Sequence, residues 1–584
     1  MAVAAAAGLP PVEFAVLVQG SQPTAEQLAQ LLRAEGLIVE STSVRSGTQW
    51  LLLVGLPVDQ ASVAAEKVGL LKLHRSGYER RFVLEQWRDF GSGDENRPQE
   101  LFSLAERQEI VQSIMDSIRA SQITEVVGLD QRCVLVHPGQ SVLAVCQKAG
   151  VVAAMFPPHD YEMLSNIRHQ WLSHLTIPVH MIKAYFGIRV AFYYAFLSFY
   201  TWSLLMPMTV GVSVLVHMDS LAWRIAGVLF NLLWNTVILE VWRKRADHLS
   251  CFWGLHEVQL PHQNRLLFAF DESRFAQRAF RVIVSQAVVL LCVFLCVLQQ
   301  YQYLTLEAYV SGTFPSPTIG DAVIRMLPGV VNTMAGMAFS DVYRALIQRL
   351  TEWENHQTQA EYLQHLTGKL IVFDFLGRFG SLFYTAFYLQ DIPLLRKQVY
   401  ILLALAFTKE NLIEVVMPRA MRHFSSVVRS MIRSDPSYLP GIHSVLSEAD
   451  MTRYTSTYVD YYKMFSQFAF VFLFGPVVPL APMIAFFGNL LEMLIVGYKL
   501  TVVFQRPLKP AFQVIGFLAV PSNIALICVE NADPLHALLR LFTDMEFVLF
   551  LVCIEHAIML LKLLLQYAIR SKPHCPHYGA HPAP

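Results

Sequence analysis

From about residue 188 onward the chain is a succession of long apolar runs, roughly 190–216, 221–242, 281–304, 322–347, 367–390, 398–421, 458–479, 482–503, 511–530 and 543–569. Each is long enough to cross a hydrocarbon core as a helix, which takes about 20 residues. Inside lipid a backbone must satisfy its own hydrogen bonds, so runs of this kind have few alternatives to the helix. Hydrophobic residues make up 54% of the 584 residues and charged ones 15%, with a mean hydropathy of +0.40, too apolar for a soluble chain of this size. Basic residues follow the second run (Arg243, Lys244, Arg245), the sixth (Arg419, Arg422, Arg429, Arg433), the eighth (Arg506, Lys509) and the tenth (Arg570, Lys572). The stretch 305–320 has none, and Arg396, Lys397 and Arg540 are minor exceptions. Loop charge of this kind predicts ten crossings with both termini in the cytosol.

Residues 1–175 read differently. An apolar strand over 12–20, a helix over 23–36, a second strand over 48–56 and a second helix over 58–73 suggest a small α/β, ferredoxin-like layer structure. Ser103 is placed to cap a helix that starts at Leu104. The expected organisation is therefore mainly α and polytopic. A cytosolic α/β domain of regulatory or assembly type spans 1–175, a transmembrane domain 176–570, and a short disordered cytosolic tail 571–584.

Several function classes drop out. There is no glycine-rich phosphate loop and no Ser/His/Asp arrangement, so nothing points to an enzyme. A net charge of zero argues against nucleic acid as a partner. The N-terminus lacks a basic segment followed by a long apolar core, so the first helix is expected to act as its own insertion signal. The eight cysteines show no CxxC spacing, and no N-x-Ser/Thr sequon occurs. Both features lead us to expect no disulfide framework and an internal membrane, such as the endoplasmic reticulum, rather than the plasma membrane.

Five ionisable residues interrupt the apolar runs: Glu410, Glu414, Asp460, Lys463 and Glu492. Such groups are expensive at bilayer depth and usually functional. Glu410 and Glu414 share a helix face, Asp460 and Lys463 are three apart on the next run, and Glu492 lies on the run after that. Four acids on three successive helices look like a site for a hard cation such as calcium, which takes several oxygens. Lys463 is the anomaly, because an ammonium competes with the cation.

Thr236-Val-Ile-Leu-Glu-Val-Trp-Arg, Trp353-Glu-Asn-His, Ser381-Leu-Phe-Tyr-Thr-Ala-Phe, Gln467-Phe-Ala-Phe with Pro479-Leu-Ala-Pro, and Glu555-His-Ala together resemble the anoctamin (transmembrane-16) family. The N-terminal domain and Glu106-Arg-Gln-Glu-Ile-Val resemble its anoctamin ten branch, whose members are intracellular. The resemblance implies a homodimer of ten-helix protomers, each with a membrane-exposed groove, acting as a calcium-gated phospholipid scramblase or a chloride channel. It also places the calcium ligands. Glu410 and Glu414 precede Pro418 at the family spacing, with an acid in place of the usual amide. Asp460 matches, but Lys463 replaces the second acid of that helix, and Glu492 matches while Val496 replaces its partner acid. A second family site pairs Glu240 with an acid whose place is taken by Ser571. Losing two carboxylates and gaining an ammonium raises the local charge by about three, and each pair is worth several kcal/mol at intermediate dielectric. Calcium as a cofactor is thereby put in question. Lys463 either stands in for the ion as a tethered cation, or snorkels to the interface, or leaves residual calcium binding.

The family groove implies a polar track through hydrocarbon. Its polar positions here are Arg325, Asn332, Thr333 and Ser340 on the fourth run, Asp374, Arg378 and Tyr384 on the fifth, and Ser285 and Gln299 on the third. Arg378 either binds phosphate or chloride or forms a salt bridge with Asp374 one turn earlier. Three functions compete on this evidence: a phospholipid scramblase of an internal membrane with ion leak through the same groove, a chloride channel, and a non-transporting tether or scaffold. Membrane phospholipids, chloride or other small ions, and a second copy of the chain are the expected partners.

Overall fold

In the computed structural model, residues 12–44, 49–90, 101–122, 124–127, 133–174, 177–217, 220–254, 275–313, 319–408, 448–449, 452–453, 457–475, 477–502, 504–505, 560 and 564 are described. The chain begins with β1 (Phe14–Gln19), α1 (Gln22–Ala34), β2 (Ile38–Val44), β3 (Gln49–Gly55) and α2 (Ala61–Val68). Two short pairing strands follow, β4 (Leu71–Leu73) and β5 (Glu79–Arg81), then α3 (Leu104–Ser117). After them come the hairpin β6 (Thr124–Val127) and β7 (Cys133–Val136), α4 (Val142–Lys148) and β8 (Val152–Phe156). The main sheet has the order β2-β3-β1-β8, and every neighbouring pair is antiparallel. That is the ferredoxin-like arrangement expected from the sequence. Strands β2 and β8, however, were not anticipated.

Local chemistry fixes these elements. Proline sits in the first turn of α1, where a missing N–H costs nothing. Gly69 closes α2 in the left-handed region at φ +72°, open to a residue without Cβ. Ser103 and Glu106 form a reciprocal capping box at the start of α3. Arg107 of α3 then reaches under the sheet, donating to Glu13 Oε1 at 2.7 Å and to the Leu56 carbonyl at 2.6 Å. All three groups are buried, so the pair locks α3 to β1 and β3.

The remaining elements are helices: α5 (Tyr161–His174), α6 (Val179–Phe186), α7 (Ile188–Ser203), α8 (Leu205–Val216), α9 (Leu221–Phe252), α10 (Phe275–Thr313), α11 (Ile319–Trp353), α12 (Gln359–Phe383), α13 (Ile392–Thr408), α14 (Thr457–Leu473) and α15 (Ala481–Val502). A π-helical turn, Tyr384–Leu389, extends α12. Among the described residues four spans are long and apolar enough to cross a membrane, within Val190–Val216, Ala222–Phe252, Ala279–Thr313 and Gln364–Leu389. The expected crossings 511–530 and 543–569 lie outside the described residues, apart from Leu560 and Leu564. A core of α7, α12, α13, α14 and α15 side chains, including Tyr200, Phe379, Leu395, Phe470 and Phe474, holds the helices together. Glycine sets the closest approach: a Cβ on Gly211 of α8 would lie 2.1 Å from the Pro479 carbonyl oxygen. One expectation fails outside the membrane question. Cys251 is disulfide-bonded, against the absence of disulfides read from cysteine spacing, which carries no signal for a single bridge.

The sheet domain meets the helices through specific bonds. Lys183 of α6 pairs with Glu79 of β5, and Lys148 of α4 pairs with Glu352 near the end of α11. Glu448 is buried and accepts from the His159 backbone N–H at 3.0 Å and the Tyr161 hydroxyl at 2.8 Å.

Candidate functional site

Helix α10 shows how an apolar helix comes to carry a polar wall. Leu290, Leu291, Phe294, Leu295 and Tyr301 are exposed on one side, as in a helix facing lipid. Cys292, Cys296, Gln299, Gln300 and Tyr303, three to four residues apart, lie on the other. The second face meets α11 and α12 at close range. A Cβ on Gly377 of α12 would sit 3.3 Å from Cys296 Sγ, and one on Gly336 of α11 would sit 3.6 Å from Gln299 Nε2. Small residues at such contacts let helices approach within a membrane.

Amides bridge the three helices at this level. Gln299 Nε2 donates to Asn332 Oδ1 at 3.2 Å, Asn332 Nδ2 donates to Gln300 Oε1 at 3.3 Å, and Gln300 Nε2 donates to the Gly377 carbonyl at 3.0 Å. Thr333 is buried and returns its hydroxyl to the Gly329 carbonyl at 2.8 Å. Beside this ladder opens a cavity of about 290 Å³ between α10, α11, α12, α13 and α14. Gln299, Asn332, Thr333, Ser340 and Arg378, five of the groove positions singled out from sequence, line it. Asp374 does not line it. Its side chain is 1% exposed and lies 3.6 Å from Arg344 Nη2, an ion pair between α12 and α11. Arg325 and Tyr384 are not among the lining residues either. The Arg325 side chain is exposed, while its carbonyl accepts from Lys397. Tyr384 is exposed and stacks on Tyr388 at 4.8 Å.

The sequence reading missed Arg344, Gln300, Ser381 and Gln398, all of which line the cavity. Arg344 is one turn from Ser340 on α11, and that spacing was the available signal. Lys463 was assigned to the cation site and proves also to line this cavity. Three cationic side chains, Arg344, Arg378 and Lys463, therefore share its walls with one carboxylate, Asp341, which lies 3.6 Å from Arg344, and with neutral amides and hydroxyls. A guanidinium presents a planar fork of donors to a phosphate or carboxylate, and an ammonium presents a point charge. The arrangement suits a small anion or the anionic part of a larger molecule.

Arg378 and Lys463 also line a second, smaller cavity of about 60 Å³ together with Ser466, Gln467, Asn489 and Glu492. Here lies the described part of the expected calcium site. Asp460 belongs to α14 and Val496 to α15, whereas Glu410 and Glu414 fall outside the described residues. The donors on view are one carboxylate, Glu492, and the neutral groups of Asn489 and Ser466, with an ammonium in the same cavity. Calcium takes six to eight oxygens and its affinity follows their charge. At the second expected site, Glu240 is 2% exposed and both its oxygens accept from Arg243 Nη1 at 3.0 Å. Its charge is thus already matched on its own helix, and Ser571 lies outside the described residues.

Comparison with known proteins agrees with this architecture. The family described as "Anoctamin: Calcium-activated chloride channel" matches residues 182–575. Anoctamin-10 of Homo sapiens is 28% identical over 557 residues, covering 90% of this chain and 84% of that protein. Anoctamin-10 of Danio rerio is 28% identical over 556 residues, covering 89% and 85%. Anoctamin-8 of Mus musculus is 26% identical over 419 residues, 67% of this chain and 38% of that protein. With its apolar helices, its N-terminal sheet domain and a family match over residues 182–575, the chain belongs to the anoctamin family, on the anoctamin-10 branch, as a multi-pass membrane protein of the channel and scramblase class.

Proposed function

We propose that this protein moves phospholipids between the leaflets of an internal membrane, with small ions passing along the same route, and that it does so without requiring calcium. The observation that carries the reading is the cavity among α10–α14. It places amides, hydroxyls and three cations beside helices whose other faces carry exposed leucine and phenylalanine. A phospholipid needs that combination: a polar lining for its phosphate, and lipid alongside for its tails. Calcium independence rests on Lys463, which shares a cavity with Glu492 where relatives in the family supply an acid. The Lys463 ammonium and the Glu492 carboxylate attract across that cavity, and so hold α14 against α15. The working unit is a homodimer with both termini in the cytosol, in the endoplasmic reticulum or another internal membrane.

A second reading, a chloride channel, is favoured by the excess of positive over negative side chains on the lining of the larger cavity. One experiment separates the two. Purified protein is reconstituted into liposomes, and lipid flip and halide flux are measured in parallel across a calcium series. Lipid flip that is insensitive to calcium supports the proposal. Halide flux without flip favours the channel, and neither activity favours a tether or scaffold.

A further inference from the structure

The turn between α11 and α12 holds a cluster that the transport reading does not use. Helix α11 ends at Trp353, and Asn355 reverses the chain in the left-handed region at φ +53°, a conformation asparagine tolerates. Thr358 then caps α12 by accepting from the Glu361 N–H at 3.2 Å. This geometry folds the Glu354 and His356 side chains inward, where they are 0% and 5% exposed. His356 Nε2 lies 2.7 Å from Glu354 Oε2. One turn and a half into α12, the ring of His365 stacks on that of His356, with centroids 4.3 Å apart and planes at 26°. One ligand atom from each of Glu354, His356 and His365 falls within 4.8 Å of the others.

We propose that Glu354, His356 and His365 form a binding site for a divalent transition metal of the zinc type. Two imidazoles and one carboxylate are the donors such ions prefer, and nitrogen donors set the site apart from calcium chemistry. In a tetrahedral zinc site neighbouring donors are roughly 3.3 Å apart, given bonds of about 2.0–2.1 Å. To reach that spacing the 2.7 Å contact opens by about 0.6 Å, and side-chain rotation of His365 closes the wider separations, which are within 4.8 Å. With His356 in the tautomer that carries its proton on Nδ1, Nε2 offers its lone pair as a ligand.

The surroundings suit this role. Glu354 Oε1 accepts from Lys369, whose ammonium also donates to Ser285 Oγ at 2.9 Å, while Oε2 faces the imidazoles. A carboxylate fixed through one oxygen and presenting the other is the outer-shell arrangement that orients metal ligands. The Tyr343 hydroxyl donates to the Lys369 carbonyl at 3.0 Å and steadies the same turn of α12. A bound ion would pin the end of α11 to the start of α12. Both helices wall the larger cavity, and Glu352, two residues before the site, pairs with Lys148 of the sheet domain. The ion would thereby restrain both the cavity wall and its link to the sheet domain.

The test reads metal binding directly, so it stands or falls independently of transport. Full-length protein in detergent, stripped with a chelator, is titrated with zinc chloride by calorimetry, with calcium chloride as the parallel arm. We expect saturable binding of about one zinc per chain that calcium does not displace. His365→Ala should weaken it at least ~10-fold, the scale on which supporting groups act at metal sites. His365→Cys keeps a ligand and should give a cadmium-thiolate charge-transfer absorption absent from the wild type. It also serves if the alanine variant does not fold. Absence of saturable zinc binding overturns the proposal. So does His365→Ala binding zinc as the wild type does, the result expected if the tail residues His574, Cys575 and His577 were the ligands. A folded His365→Cys protein without the cadmium band overturns it equally.

Discussion

Lys369 on α12 and Lys463 on α14 are both ammonium groups in largely apolar helices, and they are housed in opposite ways. Lys369 is 5% exposed and bonded to the Glu354 carboxylate and the Ser285 hydroxyl, with the Tyr343–Phe373 ring stack alongside. Lys463 stands on the walls of two cavities, one lined with Arg378 and Arg344, the other with Glu492. The first charge is matched by fixed partners and holds a turn together. The second lines two cavities and shares the smaller one with the Glu492 carboxylate. A buried charge says little until its partners are known, because the same residue type closes a turn in one place and lines cavities in the other.

The largest expected effect breaks the closed cluster. Glu354→Ala leaves a buried ammonium without its carboxylate, which costs about 3–5 kcal/mol. Thermal unfolding in detergent should show a large drop in melting temperature, and a variant as stable as the wild type would mean that Lys369 is not held as described. Next is the open side. Lys463→Glu removes the proposed tie between α14 and α15, so calcium-free lipid flip should fall at least about tenfold, or ~1.4 kcal/mol in the barrier. Part of the loss should return with calcium, more so when Val496→Asp is added. A steep calcium response in the wild-type protein would instead remove the tethered-cation account. A smaller change tests the cavity wall. Arg378→Ala should slow flip about fivefold, the loss of roughly 1 kcal/mol of interaction with the moving phosphate, whereas Arg378→Lys should retain most of the rate. Equal rates for all three proteins would take Arg378 off the path.

The smallest effect sharpens the comparison with carboxylates outside the membrane. Burial would raise Glu354, but hydrogen bonds from His356, Lys369 and Ser285 outweigh it and hold the carboxyl at about 2. Asp116, on α3 of the sheet domain, is raised to about 6 because burial dominates and the nearby Arg119 only partly offsets it. A carboxyl raised in the folded state binds more protons there than in the unfolded chain. Its contribution to stability is therefore present at low pH and is lost as pH rises from about 4 to about 6. Asp116→Asn should remove that slope and gain on the order of 1 kcal/mol at neutral pH. Melting temperatures of the two proteins across that range provide the check, and parallel curves would contradict the assignment.

What was legible in the sequence divides along physical lines. Periodic and local signals read well: the apolar runs that became α7–α15, the Ser103 cap with Glu106 three residues on, and the alternation of strands and helices at the N-terminus. Strand β2, Ile-Val-Glu-Ser-Thr-Ser-Val, was missed because its polar residues hide the pattern, although it fills the edge of the sheet beside β3. Polar residues in apolar runs were found as candidates, and Asn332, Thr333, Ser340 and Arg378 indeed gather on one cavity. Which face each polar residue takes is decided by helix rotation and by glycine contacts such as Gly377 against Cys296, and neither is visible in one sequence. For the same reason Asp374 was paired on paper with Arg378 alone: the Arg378 charge does act on it from the next turn, but Arg344 across the interface, at 3.6 Å, was not foreseen. The Glu354–Lys369 bond joins the turn after α11 to a residue fifteen positions on in α12, so Trp353-Glu-Asn-His was legible only as a resemblance and not as a buried network.

The π-helical turn Tyr384–Leu389 has a consequence for how this chain is altered. A turn closed by i→i+5 bonds accommodates one more residue than an α-turn. Gln390 ends this one in the left-handed region at φ +54°, and α13 starts afresh at Ile392. The widened turn is thus the last of α12, and its extra residue resets only the faces taken by Tyr384–Leu389. Thr385 and Ala386 are turned into the core there, while Tyr384, Tyr388 and Leu389 are left exposed. Substitutions in this turn are therefore best judged by the burial of each side chain rather than by regular α-helical spacing from Phe383.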